Sequence, residues 1–314
     1  MIYAGIDLGG TTAKLGLFTK DAEIINKWEI PTRKEDGGRY VINDIAASIK
    51  AHMALKGIGL ENLAGAGIGV PGPIRDDGYV EITVNIGMKD WNPAAMLSNA
   101  LGGVYVKGGN DANVAALGEA WMGGGKGYKN VVVITLGTGV GGGVIMNGSI
   151  VNGTNGSAGE IGHMVMDWNW DGPACNCGNR GCLEQIASAT GIANHAYRYL
   201  ELTDEPSVLR DIKEITAKDV FDAAKAGDDV AKYVAHYTMK YLARAMSHIS
   251  MTLDPEIFVI GGGVSRAGDY LLETVTDQFY PMLTLLKEKP VVALARLGND
   301  AGIYGSAKMV MDEE

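Results

Sequence analysis

The feature that most restricts how this chain can fold is a strand, a glycine-rich turn and a returning strand, a plan that occurs twice. Residues 2–8 (Ile-Tyr-Ala-Gly-Ile-Asp-Leu) read as a strand, Gly9-Gly10-Thr11-Thr12 as the turn, and residues 13–18 as the return. The plan recurs at 131–146, where Val-Val-Val-Ile-Thr-Leu leads into a glycine-rich turn from Gly137 to Gly143 and then Val-Ile-Met before Asn147-Gly148. Two halves that open alike predict an internally duplicated α/β protein with helices packed on its sheets. At 314 residues the chain exceeds the roughly 100 to 150 typical of one domain, so two lobes with a cleft are expected. Helical spacing runs through 42–53 and 112–122, a strand at 66–70 ends at Pro71-Gly72-Pro73, and 217–251 is helix-rich. A strand at 257–260 leads through Gly261-Gly262-Gly263 into another helix.

The 45 glycines are about twice the usual share of roughly 7%, and they cluster without a period, which points to tight turns rather than a fibrous repeat. Gly137-x-Gly139-x-x-Gly142 has the spacing of a dinucleotide fingerprint, but that motif must open a helix and this one opens a strand. Lys126 in Gly123-Gly124-Gly125-Lys126-Gly127 is followed by glycine, so a Walker loop lacks its magnesium-binding hydroxyl. Glycine turns of the hairpin kind can instead offer backbone N–H groups to nucleotide phosphates with little side-chain obstruction. Asp7, on the strand feeding the first turn, adds a carboxylate suited to a magnesium ion.

A net charge of −10 with no Lys/Arg block argues against a nucleic-acid partner. No stretch approaches the ~20 apolar residues of a membrane span and no signal-peptide pattern opens the chain, so a cytoplasmic protein is expected. All three cysteines fall between Cys175 and Cys182, an odd number in a reducing compartment, which favours metal over disulfide. With His163 they make Cys175-x-Cys177, Cys182 and one imidazole, the donor set of a closed structural zinc site. Glu160-Ile-Gly-His163 lacks the second histidine of a metalloprotease helix, so a hydrolytic zinc is not expected. Glu160 and Glu184 flank these ligands, and carboxylates of this kind can each accept hydrogen bonds from two neighbouring sugar hydroxyls. In Gly109-Asn110-Asp111-Ala112-Asn113, the helix formers begin directly after Asp111, where a carboxylate can cap the helix, accept a proton, or do both.

Asp7-Leu-Gly-Gly-Thr-Thr-Ala-Lys14, the segment from Asn110 to Glu119, and the cysteine loop together resemble the ROK family of sugar kinases and sugar-responsive repressors. The run from Leu136 through Gly139, Gly141 and Gly143 to Gly153, Gly159 and Gly162-His163 is similar to that family's signature, and the likeness extends from residue 2 to about 308. The resemblance implies an actin-like, hexokinase-type ATPase fold of two duplicated RNase H-like lobes with a central cleft. Residues 1–115 with 300–314 would form the small lobe, and 116–299 the large lobe with zinc loop and nucleotide site. It implies ATP-dependent phosphorylation of a hexose 6-hydroxyl, most like glucokinases. An N-acetylmannosamine, N-acetylglucosamine, fructose or allose kinase, or a non-catalytic sugar-sensing regulator, stays open. Asn85-Ile86-Gly87-Met88 departs from the tryptophan often found there in glucokinases.

The resemblance further implies that Asp111 is the base and that Gly72, Asn110, Glu160, His163 and Glu184 contact sugar together with it. ATP with Mg2+ would meet Asp7, Gly9, Gly10, Thr11, Thr12, Lys14, Gly137, Thr138 and Gly139, with adenosine on Gly261-Gly262-Gly263. Zn2+ would sit on His163, Cys175, Cys177 and Cys182, so that His163 gives one ring nitrogen to metal and one to sugar. A homodimer is also implied. Family repressors carry an additional N-terminal DNA-binding segment, whereas the hairpin here begins at Ile2, which favours the kinase branch.

Overall fold

The structure is a computed structural model that describes residues 1–75 and 77–311. In chain order its main elements are β1 (Ile2–Leu8), β2 (Thr12–Thr19), β3 (Ile24–Pro31), α1 (Val41–Leu55), β4 (Leu63–Val70), β5 (Val80–Thr83), β6 (Met88–Trp91), α2 (Pro93–Ala100), β7 (Tyr105–Asn110) and α3 (Asp111–Met122). They continue as β8 (Val131–Leu136), β9 (Val140–Met146), β10 (Ser149–Ile150), α4 (Leu183–Ala187), α5 (Ala189–Leu202), α6 (Ala217–Lys225), α7 (Asp229–Leu253), β11 (Ile257–Gly261), α8 (Asp269–Phe279), β12 (Val291–Leu294) and α9 (Ala301–Met311). Two compact units emerge, one of residues 1–127, 143–158 and 299 onward, the other of 128–142 and 159–298. The division differs from a cut at 115/116 because α3 packs along α9 as one helix and stays whole in the first unit. Residues 312–314 of the expected small lobe lie outside the described residues.

The duplication read from the hairpins is carried by strand order. The first sheet runs β3-β2-β1-β4-β7, and the second runs β10-β9-β8-β11-β12. In each, the first strand of the half sits centrally with a parallel crossover strand on one side, β4 beside β1 and β11 beside β8. On one face of the first sheet, Ile42, Ile45, Ile49 and Met53 of α1 bury against Ile6, Leu8, Leu15 and Ile68. On the other face α9 lies directly on backbone, since a Cβ at Gly5 or Gly67 would overlap the carbonyl oxygens of Ile303 and Ser306. In the second unit, Phe258 of β11 meets Phe279 of α8 edge-on at 5.6 Å between ring centres.

Two sequence expectations are adjusted. The second glycine turn is shorter than Gly137 to Gly143, because β9 already begins at Val140. Gly141 to Gly143 are strand residues, and side chains are excluded there by neighbours: a Cβ at Gly142 would come 2.7 Å from the Gly159 carbonyl oxygen. The helix-rich segment 217–251 resolves into α6 and α7, separated where Gly227 adopts φ +103° and Asp228 caps α7 by accepting from Ala231 N. Among the described residues, no helix is long and apolar enough to cross a membrane.

Candidate functional site

The two glycine turns show the same hydrogen-bond logic. In the first, Thr32 Oγ1 donates to Gly9 O at 2.7 Å, Thr32 N donates to Thr11 O at 2.9 Å, and Gly9 N donates to Thr12 O at 3.0 Å. Turn carbonyls are thereby occupied from within, while the N–H groups of Gly10 and Thr11 find no intramolecular acceptor among the described residues. Lys34 and Asn85 stand beside Gly10, where a Cβ would come 3.7 Å from Lys34 Nζ and 3.1 Å from Asn85 Cβ. In the second turn, Ala189 N donates to Gly137 O at 2.8 Å, Thr190 Oγ1 to Thr138 O at 2.9 Å, and Gly137 N to Gly139 O at 2.9 Å. The N–H groups of Thr138 and Gly139 are the pair left over among the described residues. Consecutive N–H groups of this kind form an anion-binding concavity.

Asp7 lies opposite Lys14 across β1 and β2, and Lys14 Nζ donates to Asn299 O at 3.3 Å. Burial raises the Asp7 carboxyl above the usual carboxylate range, with the Lys14 charge opposing it. The same carboxylate faces Gly302 in the first turn of α9, where a Cβ would come 2.6 Å from Asp7 Cγ. A carboxylate whose ionised form is under-compensated in this way suits a divalent cation, which adds the missing positive charge.

At the end of β7, Asn110 rather than Asp111 caps α3. Asn110 Oδ1 accepts from Asn113 N at 3.1 Å, and Asn110 Nδ2 donates to Gly72 O at 3.1 Å and Asp111 Oδ1 at 3.2 Å. Asp111 is the first helical residue and its Oδ1 accepts from Ala112 N at 2.8 Å. Three expected sugar contacts, Gly72, Asn110 and Asp111, are therefore joined in one hydrogen-bonded group. Gly72 holds φ +101°, a conformation that any side chain would strain.

In the second unit His163, Cys175, Cys177 and Cys182 converge, with their ligand atoms all within 4.8 Å of one another. Cys177 Sγ stands 3.7 Å from Cys182 Sγ, and Cys175 Sγ stands 3.5 Å from His163 Nδ1. A tetrahedral ion with Zn–S of ~2.3 Å and Zn–N of ~2.0 Å sets edges of about 3.8 Å between sulfurs and about 3.5 Å between sulfur and nitrogen. The donor set and spacing thus fit zinc. Burial, with the neighbouring Cys177 and Cys175 thiols second, pushes the Cys182 thiol up to about 12. His163 Nε2, the nitrogen turned away from Cys175, lies 3.8 Å from Glu160 Oε2. Glu184 Oε2 accepts from Val140 N at 3.0 Å, and its Oε1 lies 3.9 Å from Cys175 Sγ. Glu160 thus stands beside His163, and Glu184 beside Cys175.

Gly262, at φ +82°, packs on Leu136 at the end of β8, and Gly263 helps to line a cavity of 310 Å3 with Ala189, Thr216, Phe221, Val264 and Arg266. Gly261 is the last residue of β11 and does not line it. Sequence reasoning missed Thr216, Phe221 and Arg266, along with Thr32, Thr190 and Lys34. Arg266 shares the short turn Gly263–Ala267 with the last glycine of its motif. The others stand away from the glycine motifs, and the tertiary fold brings them to their turn or cavity.

A family model described as "ROK family" matches residues 3–313. The chain is 43% identical to a glucokinase of Halalkalibacterium halodurans, across 99% of this chain and 96% of that one. It is 38% identical to a glucokinase of Thermotoga maritima, across 98% and 96%. Among solved structures, a ROK hexokinase from Thermus thermophilus superposes with a TM-score of 0.84 at 30% identity, covering 100% of both chains.

Proposed function

The chain belongs to the ROK family, and from that premise we propose that it transfers the γ-phosphoryl group of ATP to the 6-hydroxyl of a hexose, with glucose preferred. The fold is that of the hexokinase-type ATPases, duplicated α/β halves with matching strand order. The observation that carries the assignment is the 43% identity with a glucokinase over 99% of the chain. Asp111 accepts the proton of the 6-hydroxyl as the sugar oxygen attacks the γ-phosphorus, the bond from that phosphorus to the bridging oxygen breaks so that ADP leaves, and Asp111 then releases the proton to solvent. Asn110, anchored on Gly72 O, holds Asp111 in place, and the sugar contacts we assign are Gly72, Asn110, Asp111, Glu160, His163 and Glu184. The N–H pairs at Gly10 and Thr11 and at Thr138 and Gly139 receive phosphate oxygens. Thr12, Gly9 and Gly137 shape these turns, and the cavity beside Gly263 takes adenosine.

Asp7 would face the magnesium ion of Mg-ATP, generally through water, with Lys14 balancing the carboxylate. His163 and the three cysteines would hold zinc, which would fix the loop and the His163 ring. His163 then presents Nε2, and Glu160 beside it, to sugar hydroxyls. We place the enzyme in the cytoplasm as a homodimer, as the family resemblance implies.

The test is coupled ADP release with glucose, mannose, fructose, N-acetylglucosamine and N-acetylmannosamine as acceptors. Glucose is expected to give the highest kcat/KM. A higher value for an N-acetylated sugar would replace glucose as substrate. No sugar-dependent ADP release from any acceptor would leave a sugar-binding regulator in place of an enzyme.

A further inference from the structure

We infer that Thr32 and Thr190 are the positioning residues of the two phosphate turns, each using its hydroxyl to hold a turn carbonyl inward so that the N–H of the same peptide, that of Gly10 or of Gly139, points out. The inference rests on the phosphate role proposed for these turns. In an isolated glycine turn each peptide plane can flip at small cost, exchanging an outward N–H for an outward carbonyl. An outward carbonyl oxygen would repel a phosphate instead of binding it. Both turns therefore need something to fix the sense of their peptides, and glycine cannot supply it.

In the first turn Thr32 supplies it with Oγ1 on Gly9 O at 2.7 Å, while its own N–H on Thr11 O at 2.9 Å braces the far end of the turn. The peptide following Gly9 carries the Gly10 N–H, so anchoring Gly9 O sets the direction of that donor. Thr32 is only 8% exposed and follows β3 directly, so its hydroxyl is a fixed post rather than a mobile surface group. In the second turn the peptide following Thr138 carries the Gly139 N–H, and Thr190 Oγ1 anchors Thr138 O at 2.9 Å. Thr190 is held in the first turn of α5, which Ser188 caps by accepting from Gly191 N at 3.0 Å. Ala189 N anchors Gly137 O at 2.8 Å, which sets the Thr138 N–H in the same manner. Two unrelated positions, one after a strand and one in a helix start, thus repeat a single arrangement: a threonine hydroxyl on the carbonyl that precedes an outward donor. Preorganised donors act on a transferring phosphoryl group without reorganisation, which is where their contribution to rate lies.

Thr32→Val and Thr190→Val remove the hydroxyl with little change of shape, and Thr32→Ser and Thr190→Ser retain it. Steady-state kinetics, calorimetry with a non-hydrolysable ATP analogue, and calorimetry with glucose read the result. Each valine variant is expected to raise KM for Mg-ATP and the analogue Kd by roughly 10-fold or more, the scale of one lost oriented hydrogen bond at a charged group. The glucose Kd should stay near that of the parent, and each serine variant should return most of the nucleotide affinity. Thr190 is exposed, so Thr190→Val keeps the test alive if Thr32→Val fails to fold. Valine variants that bind nucleotide like the parent overturn the inference, as does serine behaving like valine. Should the parent bind the analogue yet release no ADP with any sugar, the proposed reaction falls while the calorimetry still decides the role of the threonines. A parent that binds no nucleotide removes both.

Discussion

Asp111→Asn separates chemistry from architecture, because the structure assigns the architectural task to a neighbour. Asn110 caps α3 through Asn113 N, so the substitution leaves the cap in place. The bond that Asp111 Oδ1 accepts from Ala112 N at 2.8 Å can be kept by an amide oxygen, and so can the one from Asn110 Nδ2 at 3.2 Å. What the amide cannot do is take a proton from a hydroxyl. Loss of a general base costs about 10²- to 10⁴-fold in rate, or about 2.7 to 5.4 kcal/mol in barrier at ~1.36 kcal/mol per tenfold. Turnover at saturating Mg-ATP and glucose, followed by coupled ADP release, should therefore fall by at least ~10²-fold. The glucose Kd from calorimetry should change little, since the cap of α3 and the bonds from Ala112 N and Asn110 Nδ2 are kept. Turnover within tenfold of the parent would refute the assignment. A parallel collapse of sugar binding would make Asp111 a binding group and leave the base elsewhere.

Elemental analysis of the purified protein is expected to find one zinc per chain, since four ligand atoms lie within 4.8 Å of one another. Cys177→Ala should lose the metal together with thermal stability and glucose affinity, and metal-free protein with full sugar binding would contradict the loop assignment. The His195 ring stacks on Tyr237 at 4.1 Å between centres, its Nε2 is buried without a hydrogen-bond partner among the described residues, and burial, with the Arg198 charge second, pushes its pKa down from 6.5 to about 4. The unfolded chain thus binds the proton more readily, so this group's stability contribution is present above pH 6.5 and lost as pH falls toward about 4. His195→Phe keeps the stacking and should flatten the decline in melting temperature across that window, whereas an unaltered decline would place the acid sensitivity elsewhere.

The parts of the site that depend on local geometry were legible in the sequence. A glycine turn between two apolar alternating runs specifies a hairpin by itself, and β1, β2 and β8 follow it closely. Three cysteines within eight positions can reach one metal with little help from the rest of the chain, and they do meet. The end of the second turn was misread because Gly141 to Gly143 have turn composition but strand conformation, a choice made by packing against residues distant in sequence such as Gly159 and Ala116. The capping residue of α3 was equally hidden. Asn110 and Asp111 are both good caps, and the chain selects Asn110 because an amide can serve Asn113 N and Gly72 O at once, which a carboxylate cannot. Thr32 and Thr190 lie beyond reading for a further reason: a hydroxyl's target is set by tertiary approach, and threonine composition carries no trace of it.

Glu184 shows how far the second unit ties its parts together. Its flanking position predicts a sugar contact, and the structure gives it two other neighbours, Val140 N at 3.0 Å and Cys175 Sγ at 3.9 Å. An ionised carboxylate offers about four lone-pair positions, so one bond to Val140 N leaves capacity for sugar hydroxyls. Val140 follows the second phosphate turn directly, and Gly139 before it admits the carboxylate only because it has no Cβ, which would overlap Glu184 Oε2. The glycine at 139 therefore serves two ends: it leaves an N–H without an acceptor among the described residues, and it lets the Glu184 carboxylate seat against the turn. The cysteine loop, the Glu184 carboxylate and the second glycine turn are then consecutive neighbours in one unit, so displacement of the cysteine loop reaches that turn through a single side chain. The physical basis for expecting zinc loss to impair nucleotide handling as well as sugar affinity is this chain of two contacts, with no larger rearrangement required.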